Sequence, residues 1–156
     1  MALASASPSD EKRAATSDWA GHMTLKWNGN QVKNSVRGSV DQLVFRVAHA
    51  LRNEAVRLVQ TGSRSGRIYR RGRKTHQASA PGEPPKTDTG ALVRSMRVDH
   101  RPGTGRANFV VGAEYAARLE FGTAKMAARP FVRPAIENVK AKMPELMRSV
   151  TVKVEK

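Results

Sequence analysis

One long amphipathic helix is the strongest constraint that this sequence places on its fold. Between positions 36 and 60, apolar residues recur at helical spacing and form one broad stripe. The members of this stripe are Val36, Val40, Leu43, Val44, Val47, Leu51, Leu58 and Val59. Gly62 follows the last of them, where a left-handed residue commonly ends a helix. We therefore predict a first helix over 36–60 that buries this stripe against the rest of the chain.

Phe45 and Val56 belong to the same predicted helix but lie well off its apolar stripe, on roughly one line along the helix. Isolated apolar residues are normal on protein surfaces. Alternatively, the two side chains belong to a second contact surface that a neighbouring subunit covers. Both interpretations remain open, and Phe45 and Val56 are therefore candidate interface residues.

The next segment, 63–87, is rich in arginine, glycine and proline, and it contains no acidic residue before Glu83. Neither a helical nor an alternating pattern is visible in it, so we predict a long basic loop. Pro81, Pro84 and Pro85 favour an extended path in its second half. Candidate binding residues in its first half, here called the basic arm, are Arg64, Arg67, Tyr69, Arg70, Arg71, Arg73 and Lys74.

Three interpretations of the basic arm remain open. Its guanidinium groups are suited to nucleic-acid phosphates, with Tyr69 available for stacking on a base. It is equally consistent with a solvated, flexible arm whose charge mainly favours solubility. In the third interpretation, the arm is disordered alone and becomes ordered against the acidic surface of a partner protein.

Short helices and strands follow the basic loop. Asp88 is a candidate N-cap for a short helix over 89–95. Strands are predicted at 96–100 and 107–112, joined by the turn residues RPGTGR, and a further short strand is predicted at 25–27. A two-turn helix is predicted over 114–120, ended by Gly122. Its inward-facing residues are expected to be Tyr115, Ala116 and Leu119.

A last helix is predicted to begin near Pro130 and Pro134, because proline in the first helical turn loses no hydrogen bond. Its inner face is expected to carry Phe131, Ile136, Val139 and Met143. Pro144 must kink or end this helix.

Together these elements predict a single α+β domain over 24–150. In it, a long N-terminal helix and a C-terminal helix pack on a small, mainly antiparallel β-sheet, with the long basic loop at 63–87. Residues 1–23 are predicted to be a disordered leader or a cloning-derived tail, because they are rich in Ala, Ser, Pro and Asp. Residues 151–156 are predicted to be a C-terminal tail.

Charge and cysteine content limit the class of function. The chain has 156 residues, no cysteine and a formal net charge of +15. Without cysteine it has neither disulfides nor thiolate metal sites, and none of its apolar runs approaches the ~18 residues that span a bilayer. The positive charge indicates acidic partners, namely nucleic acid, an acidic protein surface or anionic lipid. We expect no membrane insertion.

The sequence shows no catalytic constellation. The four histidines, His22, His49, His76 and His100, are scattered, and none stands at metal-ligand spacing with another histidine or a carboxylate. Glu114 and Glu120 lie on different faces of their short predicted helix. Phosphate-loop and nucleophile-elbow motifs are also missing. We therefore predict that the protein is not an enzyme and that it carries no metal and no cofactor.

Three blocks of sequence resemble the tail-component, or tail-completion, proteins of long-tailed bacteriophages. The blocks are GRIYRRG at 66–72, HQASAPGEPPKTDTGALVRSM at 76–96 and VGAEYAARLEFGTAKMAARPFVRPAIE at 111–137, preceded by the long helix. The resemblance extends over roughly residues 24–150. Its most specific part is Tyr-Ala-x-x-Leu-Glu-Phe-Gly-Thr followed by Met-x-Ala-Arg-Pro-Phe.

The resemblance implies a structural virion protein at the neck, where the tail tube meets the head, that helps the finished tail to join the head. Such proteins are small α+β subunits that assemble in rings, with a hexamer favoured. The implied partners are further copies of the chain, neighbouring neck and tail-tube or tail-terminator proteins, and genome DNA through non-specific contacts in the lumen. The implied location is the virion, reached from the host cytoplasm during assembly. No catalytic residue is implied.

In this setting, the corner formed by residues 115–131 is a candidate seam between subunits. Its candidate interface residues are Tyr115, Glu120, Phe121, Gly122, Arg129, Pro130 and Phe131. Glu120 and Arg129 are predicted to form a charge-assisted bond within or between subunits. The two phenylalanines are expected to act as apolar anchors, while the glycine and the proline set the direction of the chain. Alternatively, the same cluster only builds a corner of the domain's own core, and both interpretations remain open.

A second function, non-sequence-specific nucleic-acid binding through the basic arm, explains the charge without the family resemblance. It does not explain the Glu-Phe-Gly-Thr and Arg-Pro-Phe motifs, which offer little basic or stacking surface. Aromatic residues are only 5% of the chain, so a stacking platform for single strands is disfavoured.

Overall fold

The computed structural model describes residues 29–150, so the predicted strand at 25–27, the leader and the C-terminal tail lie outside the described residues. Within this range the fold is α+β, as predicted. The elements in chain order are α1 (Gly29–Thr61), β1 (Ile68–Arg71), β2 (Lys74–Gln77), α2 (Ala91–Arg94), β3 (Met96–Arg101), β4 (Arg106–Val111), α3 (Ala116–Phe121), α4 (Val132–Ala141) and α5 (Met143–Arg148).

Helix α1 confirms the predicted first helix and begins earlier, at Gly29. Its buried residues all lie in its second half, where Ala55 and Val59 are fully buried. Val36 and Val40 of the predicted stripe are instead 45% and 46% exposed. The elements that pack against α1 are β3, β4, α4 and α5. The stripe is therefore longer than the body that covers it.

The basic segment contains an antiparallel hairpin, so the prediction of a loop without regular structure is wrong for 68–77. Strand β1 pairs with β2 so that Ile68 lies opposite Gln77 and Arg71 lies opposite Lys74. The two-residue connection begins with Gly72, whose φ is 59°, while no residue other than glycine has a positive φ in the described range. This is the pattern of a type II′ turn, which matches the twist of a hairpin.

The predicted hairpin of β3 and β4 is confirmed. Met96 pairs with Val111 and Arg101 pairs with Arg106. In the connection, Gly103 and Gly105 have φ values of 77° and 62°. The two hairpins of the described range form separate two-stranded sheets. The predicted antiparallel sheet is the β3–β4 hairpin, and the β1–β2 hairpin is an additional sheet.

The prediction that Asp88 caps the short helix is wrong. Helix α2 begins at Ala91, after Gly90 with φ of 75°. The Thr87 hydroxyl oxygen accepts the Gly90 N–H at 3.1 Å. Asp88 instead lies 3.6 Å from Nδ1 of His76. Its carboxylate is therefore held beside the second strand of the basic hairpin rather than at the helix end.

Helices α3, α4 and α5 follow the predicted order. Gly122 ends α3 with φ of 76°, as the sequence predicts. The last helix is interrupted between α4 and α5 at Lys142, and Pro144 lies in the first turn of α5. Proline at that position needs no intrahelical N–H, so it starts the second helix where it stops the first.

The core gathers one or two side chains from each helix except α5 and one from β3. Its buried members are Ala55, Val59, Leu92, Met96, Ala116, Phe131 and Ala135. Tyr115 and Ile136 were expected to face inward but are 43% and 37% exposed. Along the last helix the buried positions are 131, 135 and 139, four residues apart, and Ile136 lies about 100° around the helix from position 135.

Candidate interaction surfaces

The carboxylate of Glu120 caps the N-terminus of α4. Its Oε2 atom accepts the backbone N–H groups of Phe131 at 2.8 Å and Val132 at 2.9 Å. Its Oε1 atom accepts that of Arg133 at 2.9 Å. These donors lack partners inside the helix, and the negative charge also suits the helix dipole. A bond between Glu120 and Arg129 was predicted, but within the described chain the carboxylate binds the helix backbone instead.

The chain reverses direction between α3 and α4 at Gly122. Any side chain there would place its Cβ atom 2.8 Å from both the Ala128 nitrogen and the Met126 oxygen. Thr123 and Met126 form a short bridge within the loop, with the Thr123 N–H donating to the Met126 oxygen at 2.8 Å. Glycine is therefore required both by its positive φ and by the close approach of the returning chain.

Phe121 and Phe131 occupy opposite environments. Phe131 is fully buried, so it is a core residue and does not anchor a subunit seam in this structure. Phe121 is 74% exposed. Beside it, a groove of about 440 Å³ lies between β4, α3 and α4. The apolar walls of this groove include Phe109, Val111, Phe121, Val132 and Ile136. Pro130, near the end of this corner, is partly buried.

Phe45 and Val56 do not form a joint contact surface. Val56 is partly buried and packs against the core. Phe45 is 42% exposed. Its ring centroid lies 4.3 Å from that of His49 and 5.1 Å from that of His100. The two residues lie on one line along the helix but have different surroundings. Val56 packs against the core, and Phe45 belongs to an aromatic cluster at the surface.

The basic arm lies on the β1–β2 hairpin and its flanks, and its side chains are exposed, apart from Arg71, of which only the backbone is described. None of the arm's described side chains forms an ion pair with a carboxylate of residues 29–150. The guanidinium carbon of Arg67 lies 5.8 Å from the Tyr69 ring centroid, within the range of a cation–π contact. Ile68 and Tyr69 are 62% and 49% exposed.

The two flanks of the basic hairpin are held closely together at its base. The Gly66 N–H donates to the Ala78 oxygen at 2.9 Å, and the Ala78 N–H donates to the Arg67 oxygen at 3.1 Å. A Cβ atom on Gly66 would lie 2.3 Å from the Ser79 oxygen, so only glycine fits there. The arm is therefore part of a hairpin with a tight base, which disfavours the interpretation that the arm is disordered on its own.

A buried carboxylate that the sequence did not single out joins α1 to α4. Glu54 accepts hydrogen bonds from Arg57 Nη2 at 2.6 Å and Asn138 Nδ2 at 2.8 Å. Lys142 Nζ lies 3.8 Å from its other oxygen. The hydrogen bond from Arg57, with smaller contributions from Asn138 and Lys142, outweighs desolvation and lowers the pKa of Glu54 to about 2. Glutamate three residues before arginine on a helix gives no local sign of burial.

A second feature that the sequence did not single out is a cavity of about 340 Å³ between residues 76–92 and α3. It brings together two of the blocks that carry the phage resemblance. Tyr115 and Arg129, both predicted interface residues, line this cavity and not the groove beside Phe121. The predicted interface candidates are thus spread over several parts of the structure, among them the core, the groove and the cavity.

Neither metal binding nor membrane insertion is indicated in the described range. Residues 29–150 contain no group of three or more His, Asp or Glu side chains placed to hold a metal ion. None of the helices in this range combines the length and hydrophobicity of a membrane span. Comparison of the chain with protein-family models, curated protein sequences and solved structures finds no match. The family resemblance, and the absence of enzymatic activity and cofactors, therefore stay predictions.

Proposed function

We propose that this protein is a structural subunit that docks onto further copies of itself, in a ring of the kind found at the neck of long-tailed phages. The observation that carries the proposal is Phe121, 74% exposed beside an apolar groove. Exposed apolar patches of this kind are typical of interaction surfaces. The subunit would work in the virion, between the head and the tail, with neck and tail-tube proteins as its neighbours.

A second copy of the chain is the occupant that fits this corner best. Phe121 projects at one edge of the groove, and the groove, at about 440 Å³, is wide enough to receive an aromatic side chain. A projecting side chain and a receiving groove on one subunit permit head-to-tail contacts, which close into a ring when the rotation between subunits allows it. The Glu120 cap and Gly122 hold the corner rigid, which lowers the entropic cost of docking.

Native mass spectrometry over a range of concentrations tests this proposal. We expect the unaltered chain to form a defined multimer and Phe121→Asp to remain a folded monomer, because a charge in the seam is unpaired. Met147→Asp is the matched control, since Met147 is 57% exposed on α5, outside the groove. A Phe121→Asp variant that is folded and assembles like the unaltered chain refutes the seam, and an unaltered chain that is monomeric throughout refutes the ring.

A second candidate function is non-specific binding of nucleic acid by the basic arm. The observation in its favour is the set of exposed arginines on the β1–β2 hairpin and its flanks; those whose side chains are described form no ion pair with a carboxylate of residues 29–150. Binding to the phosphates of nucleic acid needs only such positive charge and no contacts with the bases. In a ring, this hairpin would meet either genome DNA in the lumen or an acidic neighbouring ring.

Salt dependence separates these two uses of the basic arm. Binding to DNA phosphates must weaken steeply as salt rises, with a slope of about −0.9 in log K against log salt for each phosphate neutralised. Fluorescence anisotropy with a random duplex at several salt concentrations measures this slope. Docking on protein instead predicts weak DNA binding, together with co-assembly that is lost when residues 64–76 are deleted.

A further inference from the structure

The cavity between residues 76–92 and α3 holds two polar groups that lack partners. Ser79 is 0% exposed, and neither its Oγ atom nor the buried Nε atom of Arg129 has a hydrogen-bond partner among the described residues. Both residues line the same cavity, of about 340 Å³. A buried polar group without a hydrogen bond is costly, by about 1–3 kcal/mol for a neutral group and more for a charged one. Both atoms lie in the wall of one cavity, where a small shift of either side chain would bring it within reach of a polar ligand.

Arg129 restricts the chemistry of that ligand. A guanidinium group has only donors, so its partner must be an acceptor. No carboxylate of the described chain lies within ion-pair distance of Arg129, because the Glu120 carboxylate is taken by the N-terminus of α4. The backbone of Arg129 is held in place, since its N–H donates to the Leu119 oxygen at 2.7 Å. A fixed cationic donor of this kind favours an anion.

The other charged groups around the cavity leave it net positive. Lys86 lines the cavity and its ammonium group contacts the Gln60 oxygen. Asp88 is the acidic member of the wall, and it lies 3.6 Å from His76 Nδ1. Two permanent cations, Lys86 and Arg129, therefore line the cavity together with one carboxylate.

We propose that this cavity binds a carboxylate, carried by a glutamate or aspartate side chain of a neighbouring protein subunit. In this proposal Arg129 donates from its guanidinium group and Ser79 from its hydroxyl group, and a carboxylate accepts charge-assisted hydrogen bonds from both kinds of donor. The aliphatic stem of the side chain packs against Leu92 and Leu119. The singly charged carboxylate suits a wall that includes Asp88 better than a phosphate of charge about −1.5 to −2. The bound carboxylate belongs to a partner subunit only if the proposed ring forms, whereas binding itself does not depend on the ring.

Titration of the isolated chain with N-acetyl-glutamate α-amide, at constant ionic strength and followed by NMR, tests the site. We expect saturating chemical-shift changes confined to residues 78–92 and 115–129. The neutral glutamine analogue should produce none. Arg129→Gln should abolish binding, and Ser79→Ala should raise Kd about tenfold through the loss of one hydrogen bond to a charged group. Arg67→Gln, which removes the same charge from the basic arm, should leave Kd unchanged.

Three outcomes would overturn the proposal. The first is chemical-shift changes that never saturate or that spread over the whole basic surface. The second is binding of the probe that survives Arg129→Gln. The third is tighter binding of methyl phosphate than of the carboxylate probe in the same cavity. If Arg129→Gln does not fold, Ser79→Ala and Arg129→Lys carry the test. Arg129→Lys keeps the charge but loses the planar donor group, so we expect it to weaken binding as well, and unchanged binding by both variants would overturn the proposal. A chain that binds the probe but stays monomeric would refute the ring alone, and a ring that forms equally well with Arg129→Gln would refute the partner's carboxylate.

Discussion

Replacing Glu54 by glutamine should remove a large part of the stability that joins α1 to α4. The substitution keeps the size of the side chain but removes the charge that Arg57, Asn138 and Lys142 surround. The pKa falls from 4.5 in the unfolded chain to about 2 in the fold. At about 1.4 kcal/mol for each pH unit between these values, ionisation stabilises the fold by about 3 kcal/mol at neutral pH. Because the Arg57 side chain is 54% exposed, solvent weakens its interaction with Glu54. We therefore expect Glu54→Gln to lower the free energy of unfolding by about 2 kcal/mol.

The pH dependence gives the sign of this effect. The folded state lowers the pKa of Glu54, so the stabilisation is complete above the unfolded pKa of about 4.5 and disappears as pH falls towards about 2. At pH 3 the difference in unfolding free energy between the unaltered chain and Glu54→Gln should therefore be less than half of that at pH 7. Other carboxylates titrate in the same range, but they do so in both proteins and cancel in the difference.

Urea unfolding followed by circular dichroism at pH 7, 4.5 and 3 measures this difference. Glu137→Gln is the matched control, because Glu137 pairs with Lys140 on the surface of α4 with 63% of its side chain exposed. An exposed pair of this kind contributes about 0.5 kcal/mol at most. The reasoning is refuted if Glu54→Gln costs no more than this control at pH 7, or if the difference between the unaltered chain and Glu54→Gln is the same at all three pH values.

Further predictions concern the corner between α3 and α4, and urea unfolding measures each of them. Gly122→Ala should cost more than about 2 kcal/mol, because the positive φ and the 2.8 Å approach to the returning chain both oppose a Cβ atom; a loss below about 0.5 kcal/mol would contradict this. Glu120→Ala should cost about 1–2 kcal/mol by leaving the first N–H groups of α4 without acceptors, and an unchanged midpoint would argue against the cap. Phe131→Ala should cost about 3–5 kcal/mol because the ring is fully buried, whereas Phe121→Ala should stay within about 0.5 kcal/mol; similar losses for the two would show that the burial assigned here is wrong.

Elements that local patterns determine were predictable from the sequence. The long helix follows from an apolar stripe, the β3–β4 hairpin from β-formers around a Gly-rich turn, and the interruption of the last helix from Pro144. The β1–β2 hairpin was missed because its strands are mostly exposed on both faces, so no alternation of apolar and polar residues is needed. The available signal was Gly72 between two short runs, which fits a two-residue turn.

The contacts that build the candidate sites were less predictable, since they join residues far apart in the chain. Asp88 satisfies the local rule for an N-cap, yet its carboxylate lies beside His76 on a different element. Glu54 looks like an ordinary member of a surface pair, and Asn138, which helps to bury it, is 84 positions away. Ser79 has no sequence signal at all. In each case, packing decides which of several chemically acceptable partners a polar group meets.

The unexpected role of Glu120 links the two proposals made for this chain. The two oxygens of this carboxylate accept three backbone N–H groups at the start of α4, so its charge is already used at that helix end. Arg129 therefore remains beside a cavity without an acidic partner in the described chain. The same cap holds the start of α4, where Phe131 is buried in the core, while Phe121 at the end of α3 is exposed. An apolar side chain and a cationic group are thus available on one corner, and in the proposed ring they would meet two different features of a neighbouring subunit, an apolar groove and an acidic side chain.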